Sequence, residues 1–294
     1  MLDRDGYPAG VPCWVDTTQP DPDAAVAFYG TLFGWDLEDR MPADGPGHYY
    51  VAQLHGRDVA AIGSQPDPTA TSAVWNTYIW VEDVDASATA VQAAGGAVLA
   101  APFDVLDAGR MAVCADPAGA AFCLWEARGH RGAQLVNEPG TWNFSDLNTR
   151  DPEGAAHFYG DVFGWEVNAF EAEGQSFPMF CREGYGDFLE QRDPELRHRQ
   201  AEQEAPAGFE DVIAGFVTMT SDQFPDDVPS HWHVTFAVDD PDAIAEKATD
   251  LGGTVVAPPF DAGPVRMAVL VDPQGAVFTV GKYQPGGTST DAQS

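Results

Sequence analysis

The chain has 294 residues, which is enough for two modest domains that each bury a core of their own. Hydrophobic residues make up 44% and aromatic residues 11%, as in a folded globular protein. With 46 acidic against 14 basic residues, the formal net charge is -32. Such a field repels phosphate backbones and anionic lipids, so we expect no nucleic-acid partner and no membrane association.

The N-terminal residues show no apolar stretch behind a basic start, and no window has the apolar length of a membrane span. The four cysteines form no CxxC pair and no zinc-type spacing: Cys13, Cys114, Cys123 and Cys181. We therefore expect a cytoplasmic protein with reduced thiols.

Two stretches of the chain occur twice. Phe28–Trp35 returns as Phe158–Trp165 with six of eight positions identical, and Met111–Phe122 returns as Met267–Phe278. A repeat of this size indicates two copies of one folding unit. Each candidate residue in one copy can therefore be compared with its counterpart in the other.

We place copy one at residues 8–130 and copy two at residues 139–285. Early landmarks lie 130 residues apart in the two copies, whereas later landmarks lie 157 or 156 apart. Copy two has thus gained about 27 residues, a charged insertion near 191–210. It is expected to form a solvated loop or short helix, or else a lid over copy two.

In chain order, each copy is predicted to form a strand, a helix, further strands, a second helix and a final hairpin. An Asp-Pro pair begins the first helix at Asp21 and at Asp151, since Asp caps a helix and Pro suits its first turn. The second helix of copy one begins near Asp85 and, as in copy two, ends at a glycine pair. A DP-x-G turn joins the hairpin strands at Asp116 and at Asp272. The pattern is βαβββ, twice.

The repeated FYGxxFGW string and the DP-x-G hairpin resemble the vicinal oxygen chelate superfamily. That superfamily includes glyoxalase I, extradiol dioxygenases, fosfomycin-inactivating enzymes and bleomycin-sequestering proteins. The resemblance covers nearly the whole chain and is strongest to tandem-module actinobacterial glyoxalase-like proteins; the presence of only two lysines fits a high-GC genome. It implies an α+β fold of two tandem modules, each a curved, mostly antiparallel sheet with helices on its convex face.

The resemblance also marks where metal ligands would lie. In metal-dependent members, His or Glu, then His or Gln, then Glu reach one cleft from three strands. The matching positions here are Asp16, Asn76 and Cys123 in copy one, and Asp146, His233 and Thr279 in copy two. A single imidazole with a hydroxyl makes a poor divalent-metal site, so we expect no metal and no cofactor.

His233 is the first acid-base candidate, because an imidazole ordinarily titrates near neutral pH. It could instead hold a metal weakly or be a structural histidine. Asp146 is the second acid-base candidate. Arg266 is a third catalytic candidate, since an arginine could polarise a substrate oxygen.

Strand alternation predicts the neighbours of these residues in the cleft. A hairpin turn centred between Pro117 and Ala118 would also set Arg110 opposite Trp125, on the cleft side. A one-residue slip would reverse this, and the arginine would then bridge surface acids. The indoles are either core residues or the walls of an aromatic slot. The predicted substrate-binding residues are Trp14, Asp16, Asn76, Tyr78, Trp80, Arg110, Cys123, Trp125, Trp142, Phe144, His231, Thr235 and Thr279.

Three functions fit these residues. The leading hypothesis is a metal-independent enzyme of secondary metabolism that binds a hydrophobic, aromatic or polycyclic metabolite and performs hydroxylase-, lyase- or cyclase-type acid-base chemistry. The second is a non-catalytic protein that sequesters a drug or metabolite, as the bleomycin-resistance members do. The third is a divalent-metal glyoxalase or dioxygenase, which the ligand positions disfavour. We expect a monomer or a homodimer.

Overall fold

The described part of the chain forms two mixed β-sheets of eight strands each, one from each copy. The computed structural model describes residues 4–67, 69, 71–172, 175–202 and 205–284. Helices flank both sheets, and the predicted α+β fold of two tandem modules is confirmed.

Copy one has helix α1 (Pro22–Phe33) after its first strand and helix α2 (Val84–Ala93) after its fifth. Its strands are β1 (Pro12–Gln19), β2 (Asp36–Asp39), β3 (Tyr49–Leu54), β4 (Arg57–Ser64), β5 (Val74–Trp80), β6 (Ala97–Val105), β7 (Gly109–Ala115) and β8 (Ala121–Ala127). In the sheet they follow the order β2-β3-β4-β1-β5-β8-β7-β6.

Copy two has helices α3 (Pro152–Phe163), α4 (Tyr185–Glu190), α5 (Leu196–Glu202) and α6 (Pro241–Asp250). Its strands are β9 (Thr141–Thr149), β10 (Glu166–Ala172), β11 (Gln175–Cys181), β12 (Val212–Thr218), β13 (His231–Ala237), β14 (Thr254–Ala262), β15 (Val265–Val271) and β16 (Val277–Tyr283). They follow the order β10-β11-β12-β9-β13-β16-β15-β14. Across the described ranges of both copies, no helix has the length and apolar character needed to cross a membrane.

Each sheet contains the βαβββ pattern twice, so the pattern occurs four times along the chain. In copy one, the first unit runs from β1 to β4 and the second from β5 to β8. The leading strands of the two units, β1 and β5, pair antiparallel, whereas β1 with β4 and β5 with β8 pair parallel. The centre of the sheet therefore brings together side chains from both units.

The predicted Asp-Pro helix starts are confirmed. The Asp21 carboxylate accepts a hydrogen bond of 3.0 Å from the N–H of Ala24, and Asp151 caps α3 in the same way. Gly34 ends α1 with φ 74° and Gly164 ends α3 with φ 70°, a left-handed conformation in which glycine is unstrained. Both copies thus enter and leave their first helix by the same local chemistry.

The two sheets pack against each other through the faces that also carry the helices. Thr77 of β5 donates a hydrogen bond of 2.8 Å to Ser145 of β9, and the rings of Trp75 and Phe236 lie 5.0 Å apart. Buried aromatic residues of both copies form one shared core here. We call this side of each sheet the helix face, and the opposite side, which carries Asp16 or Asp146, the cleft face.

The predicted register of the two final hairpins is wrong by one residue. Arg110 lies opposite Glu126 and not opposite Trp125. In copy two, Arg266 lies opposite Lys282. Because side chains alternate along a strand, this shift moves both arginines from the cleft face to the helix face.

The turn chemistry explains the shift. The predicted turn has an even number of residues, but five residues, 116–120, separate the last pair of β7 and β8. Asp116 Oδ1 accepts hydrogen bonds of 2.9 Å from the N–H groups of both Ala118 and Ala120. The side chain thus draws a fifth residue into the turn. Asp272 does the same in copy two.

The charged insertion of copy two lies between β11 and β12. It forms α4, α5 and a single 3-10 turn, Phe209–Asp211. Arg197 of α5 holds these pieces together through ion pairs with Asp187 at 2.7 Å, with Glu210 at 3.4 Å and with Glu190. The insertion thus contains short helices, one of the forms predicted for it.

Candidate functional site

The sheet of copy two curls around its cleft face. Strands β11 and β14 lie near opposite ends of the sheet order, yet the turn after β14 meets β11. A β-carbon at Gly263 would lie 3.0 Å from Phe177 Cζ, and Gly263 has φ 55°. The two ends of the sheet therefore approach each other, and the cleft face is concave.

Four polar side chains run across the central strands of this cleft. Asp146 of β9 pairs with His233 of β13, and Thr235 of β13 pairs with Thr279 of β16. Thr235 Oγ1 donates to Asp146 Oδ2 at 3.0 Å, and His233 Nε2 lies 2.7 Å from Thr279 Oγ1. We call these four residues the polar row. All four are predicted from the sequence to lie in the cleft, and the structure brings them together.

Asp146 has little support from hydrogen bonds. Thr235 is its one donor among the described residues, and Oδ1 has none. Burial raises the pKa of Asp146 to about 6, which the bond from Thr235 opposes only in part. The carboxylate is therefore ionised at neutral pH yet close to its titration range, as a general base requires.

Gly215 makes room for this carboxylate. It lies beside Asp146 on the neighbouring strand β12. A β-carbon at position 215 would lie 1.8 Å from Asp146 Oδ1, far inside contact distance. The carboxylate thus occupies space that only a glycine leaves open.

His233 does not titrate near neutral pH, contrary to the expectation that ranked it first. Burial, together with the neighbouring His231, lowers its pKa to about 4. The imidazole is therefore neutral at physiological pH. His231 Nδ1 donates to the carbonyl of Pro229 at 2.8 Å, and its Nε2 lies 3.0 Å from Asn148 Nδ2. Asp146, not His233, has the pKa better matched to proton transfer.

Apolar side chains lie beside the polar row on the same face of the sheet, on β9 and on the strands on its far side. Phe170, Cys181 and Val212 form a separate buried cluster, against which Phe144, Met179 and Phe209 pack. The rings of Phe170 and Phe209 lie 5.6 Å apart at 79°. We call Phe144, Phe170 and Phe209 the aromatic wall. Because Phe209 belongs to the insertion, the insertion contributes directly to the cleft.

The cleft face of copy one is filled by its own side chains. Asp16 accepts hydrogen bonds from Tyr78 at 2.7 Å, Asn76 at 2.8 Å and Tyr49 at 3.0 Å. Trp14 in turn donates to the Tyr49 hydroxyl. Burial raises the pKa of Asp16, and the three hydrogen bonds oppose that rise. Asp16 is only 2% exposed, so this carboxylate has no contact left to offer a ligand.

A strap of residues 128–134 crosses the same face. Backbone hydrogen bonds tie it to the β6–β7 turn at one end and to β1 at the other. The His130 ring lies 4.3 Å from Trp14 and 5.8 Å from Trp125, and burial lowers the pKa of His130 to about 4. Trp14 and Trp125 are both buried. Copy one therefore presents a closed core where copy two presents a cleft.

Matching positions in the two sheets explain this difference. Side chains in copy two are smaller than their counterparts in copy one at six matching positions. The counterparts, copy one first, are Trp14 and Phe144, Tyr49 and Phe177, Ala61 and Gly215, Tyr78 and Thr235, Trp80 and Ala237, and Trp125 and Gly281. Since the backbones correspond, the lost side-chain volume becomes space in the cleft.

The arginines predicted for the cleft lie elsewhere. Arg110 pairs with Asp85 at 2.8 Å, near the start of α2. Arg266 makes two hydrogen bonds to Asp242, of 2.7 and 2.8 Å, and a third to Asp261. Both bridge surface acids on the helix face, the alternative that a register slip predicted. Neither reaches the polar row.

Two predicted tryptophans also lie outside an open cleft. Trp142 precedes a bulge in β9 that interrupts strand alternation, and it pairs with Phe236 and is buried in the shared core. Trp80 is covered by residues near the N-terminus and the strap, with the Arg131 guanidinium 5.7 Å and the Tyr7 ring 6.3 Å from it. The other predicted residues lie on the two cleft faces, those of copy one in its closed core.

The donors do not fit a tightly held divalent cation. Copy two offers Asp146, hydroxyls and two imidazoles, but His233 Nε2 already contacts Thr279, and both ring nitrogens of His231 contact other groups. In copy one, burial raises the pKa of Cys123 and three donors surround Asp16. Within the described ranges, no group of three or more His, Cys, Asp or Glu residues could hold a metal ion.

Several residues that shape the two clefts carry no clear signal in the sequence. Phe170 and Phe209 were not predicted because the strand pattern of β10 is short and Phe209 lies in the insertion. Tyr49 lies on a strand that no motif marks. Gly215 carries no local signal, because its role appears only when β12 is set beside Asp146.

Two family models match the chain, one in each copy. The model described as the glyoxalase/bleomycin resistance protein/dioxygenase superfamily matches residues 14–124. The model described as a glyoxalase-like domain matches residues 144–281.

Relatives extend over almost the whole chain. CFP32 of Mycobacterium tuberculosis (strain CDC 1551 / Oshkosh), provisionally named a glyoxylase, is 41% identical over 289 residues, covering 97% of this chain and 99% of that protein. The anthracycline biosynthesis protein DnrV of Streptomyces peucetius is 32% identical over 294 residues, covering 95% and 96%.

Solved structures share the fold. The Mn(II)-bound glyoxalase from Novosphingobium aromaticivorans has a TM-score of 0.57 at 15% identity, covering 96% of this chain and 86% of that one. The 2,3-dioxygenase LapB from Pseudomonas sp. KL28 has a TM-score of 0.56 at 14% identity, covering 93% and 92%. With a family domain in each copy and relatives along its full length, the chain belongs to the glyoxalase/bleomycin resistance protein/dioxygenase superfamily.

Proposed function

We propose that the protein is a metal-independent enzyme of secondary metabolism that acts on a hydrophobic, aromatic or polycyclic metabolite in the cleft of copy two. The observation that carries this proposal is the polar row facing the aromatic wall. An apolar cleft with a few convergent polar groups, one of them with a raised pKa, is the usual form of a small-molecule site. Copy one, whose cleft face is filled by its own side chains, has a structural role in this proposal.

Asp146 acts as the base in this proposal. Its Oδ1 has no donor among the described residues, and a pKa of about 6 lets it take a proton from a carbon acid or a hydroxyl and return it. Thr235 holds the other oxygen in place. The neutral imidazole of His233 positions a substrate oxygen by a hydrogen bond, as a neutral histidine can.

Proton removal and return at Asp146 balances an elimination, an isomerisation or a ring closure. These correspond to lyase and cyclase chemistry. A hydroxylation would also consume an oxidant, which these side chains do not supply. The proposal is therefore limited to proton transfer.

Two further observations support an aromatic, non-anionic ligand. The net charge of -32 disfavours an anion at the cleft mouth. DnrV is named an anthracycline biosynthesis protein, and anthracyclines are flat, fused-ring aromatic compounds. The aromatic wall offers such rings both stacked and edge contacts.

The test is a panel of aromatic and polycyclic metabolites, an anthracycline included, incubated with the purified protein and analysed by mass spectrometry. We expect one compound to be converted to a product or isomer by the wild type, and conversion to fall at least about a hundredfold in Asp146→Asn, the loss usual for a general base. Conversion that is unchanged in Asp146→Asn would remove Asp146 from the mechanism.

Sequestration without chemistry is the second candidate. It is favoured by the fact that His233, Thr235 and Thr279 already hydrogen-bond within the row, which suits a rigid binding surface. In the same assay, compounds that bind tightly and are recovered unaltered would establish sequestration in place of catalysis.

A further inference from the structure

The side chains that fill copy one indicate what kind of ligand would fit at the matching positions of copy two. We propose that the cleft of copy two binds a flat, fused-ring phenol, with its hydroxyl on Asp146 and a ring in the space above Gly281. This inference rests on the proposed function, since it takes copy two as the working site and specifies the class of compound. The support for this inference is a comparison of residues at matching positions in the two sheets.

In copy one, phenols belonging to the chain itself satisfy the carboxylate. The hydroxyls of Tyr78 and Tyr49 donate to Asp16 Oδ2 at 2.7 and 3.0 Å. The Trp125 ring lies 6.2 Å from the Tyr78 ring, at 83°. Two phenols and a fused bicyclic ring thus surround one buried carboxylate.

In copy two, the carboxylate remains but the two tyrosine hydroxyls that satisfy it in copy one do not. Thr235 stands at the position of Tyr78, Phe177 at that of Tyr49, and Gly281 at that of Trp125. Thr235 still donates to Asp146 Oδ2, but Oδ1 has no donor among the described residues. A ligand that completes this arrangement must bring a hydroxyl donor and an aromatic ring.

The position of Gly281 leaves room for a side chain to begin. A β-carbon at this position would meet Val265 Cγ1 at 3.5 Å and Thr235 Cγ2 at 3.7 Å, which are ordinary contacts. In copy one the indole of Trp125 needs a glycine beside it: a β-carbon at Gly109 would lie 2.6 Å from the Trp125 ring. Copy two has Val265 where copy one has Gly109. The two positions therefore differ together: copy one has Gly109 with Trp125, and copy two has Val265 with Gly281.

The charge of the site selects a hydroxyl over an acid. Asp146 is ionised at neutral pH, so it repels a carboxylate or phosphate and accepts from an O–H. The arginines that could neutralise an acid, Arg110 and Arg266, lie on the helix face. A phenol satisfies the carboxylate in the way that Tyr78 satisfies Asp16.

The experiment compares β-naphthol with its methyl ether by equilibrium dialysis against the full-length protein at neutral pH. The two probes share a fused ring and differ in the O–H donor. We expect the wild type to bind β-naphthol at least about tenfold more tightly than the ether, since a hydrogen bond to a charged acceptor is worth that much. In Asp146→Ala the two affinities should become equal.

Refilling the cleft tests the location. The double variant Val265→Gly with Gly281→Trp copies the paired residues of copy one into copy two, and we expect it to lose binding of both probes. Lys282→Trp is the matched control, because it adds the same side chain on the opposite face of β16, where Lys282 is exposed. A melting temperature for each variant confirms that it is folded.

The outcomes separate the ligand class from the location of the site. Equal affinity of the wild type for both probes, with binding still blocked by the double variant, overturns the phenol and keeps copy two as the site. Binding that survives the double variant overturns both this inference and the proposed site. If neither probe binds up to its solubility limit, the fused-ring ligand class alone is overturned.

Discussion

The carboxylate of Asp146 lies where a β-carbon at Gly215 would have to lie. The two residues are direct partners on the parallel strands β9 and β12, and a β-carbon at position 215 would be 1.8 Å from Asp146 Oδ1. Copy one has Ala61 at this position, and there Asp16 reaches tyrosine hydroxyls instead. The glycine thus selects the orientation of the base.

Gly215→Ala should therefore turn the Asp146 carboxylate away from its present position. We expect ligand affinity and turnover to fall by at least about tenfold, because displacement of a reacting group by even one ångström is costly. Ala61→Gly in copy one is the matched control and should leave both unchanged. Dialysis and product analysis give the two quantities, and a Gly215→Ala protein with wild-type values would show that the carboxylate orientation is unimportant.

His233→Ala should reduce turnover while largely preserving ligand affinity. The imidazole makes one polar contact within the row, to Thr279, and contributes little apolar area to the aromatic wall. A loss of about ten- to a thousandfold in kcat is the range for a positioned hydrogen-bonding group. Asn76→Ala, its counterpart in copy one, is the control. A decrease in affinity alone would instead make His233 a binding residue.

Asp146 should make stability depend on pH. Its pKa in the folded protein is raised from 3.8 to about 6, so the folded state holds the proton more tightly than the unfolded state. Stability is therefore greatest below pH 4 with respect to this group and is lost as the pH rises through about 6. Asp146→Asn should raise the free energy of unfolding at pH 8 by up to about 3 kcal/mol and change it little at pH 4.

Urea unfolding of both proteins at the two pH values measures this difference. His233, whose lowered pKa penalises the folded state as the pH falls from 6.5 towards about 4, is present in both proteins and cancels in the comparison. An equal gain at both pH values would show that the carboxylate is not destabilised by burial.

Tyr78→Phe should destabilise the protein without affecting the ligand. The change removes a hydrogen bond of 2.7 Å from the buried Asp16 carboxylate and leaves the ring in place. We expect a cost of about 1 to 3 kcal/mol in the free energy of unfolding, the range for a buried acceptor that loses a donor. Ligand affinity should remain that of the wild type. A weakened affinity would show that copy one takes part in binding.

Protein purified without chelators should contain well under one divalent ion per chain. The reason is the donor set of copy two, in which Asp146 is the carboxylate and both imidazoles, His231 and His233, already contact other groups. Elemental analysis by mass spectrometry measures the content. A stoichiometric ion that survives dialysis would contradict the metal-independent mechanism, and its loss in His233→Ala would locate it.

The fold could be predicted from the repeat, because caps and turns are local. The helix caps Asp21 and Asp151 contact residues only a few positions away, as do the glycines that end the helices. Their effect can therefore be predicted from the sequence alone. The recurrence of βαβββ within each copy was missed, because the two units of one copy share no string like the one that repeats between Phe28 and Phe158.

The site could be predicted only as far as strand alternation holds. Alternation correctly grouped His231, His233 and Thr235 on one face. It failed at Trp142, where a bulge interrupts the pairing, and at Arg110, where the Asp116 side chain lengthens the turn by one residue. The shape of the cleft face in copy two depends on contacts between residues far apart in the sequence, such as Asp146 and Gly215. No local sequence pattern encodes such contacts.

The closed core of copy one also affects which substitutions the protein can tolerate. Asp16, Tyr49, Tyr78 and Trp14 are joined in one buried network, so a substitution at any of them leaves the others unsatisfied. A single substitution there is therefore expected to destabilise the molecule. The polar row of copy two is joined only in pairs, Asp146 with Thr235 and His233 with Thr279, so a substitution in it disturbs a single partner. Copy two is thus the half whose lining can change at the lower cost to stability.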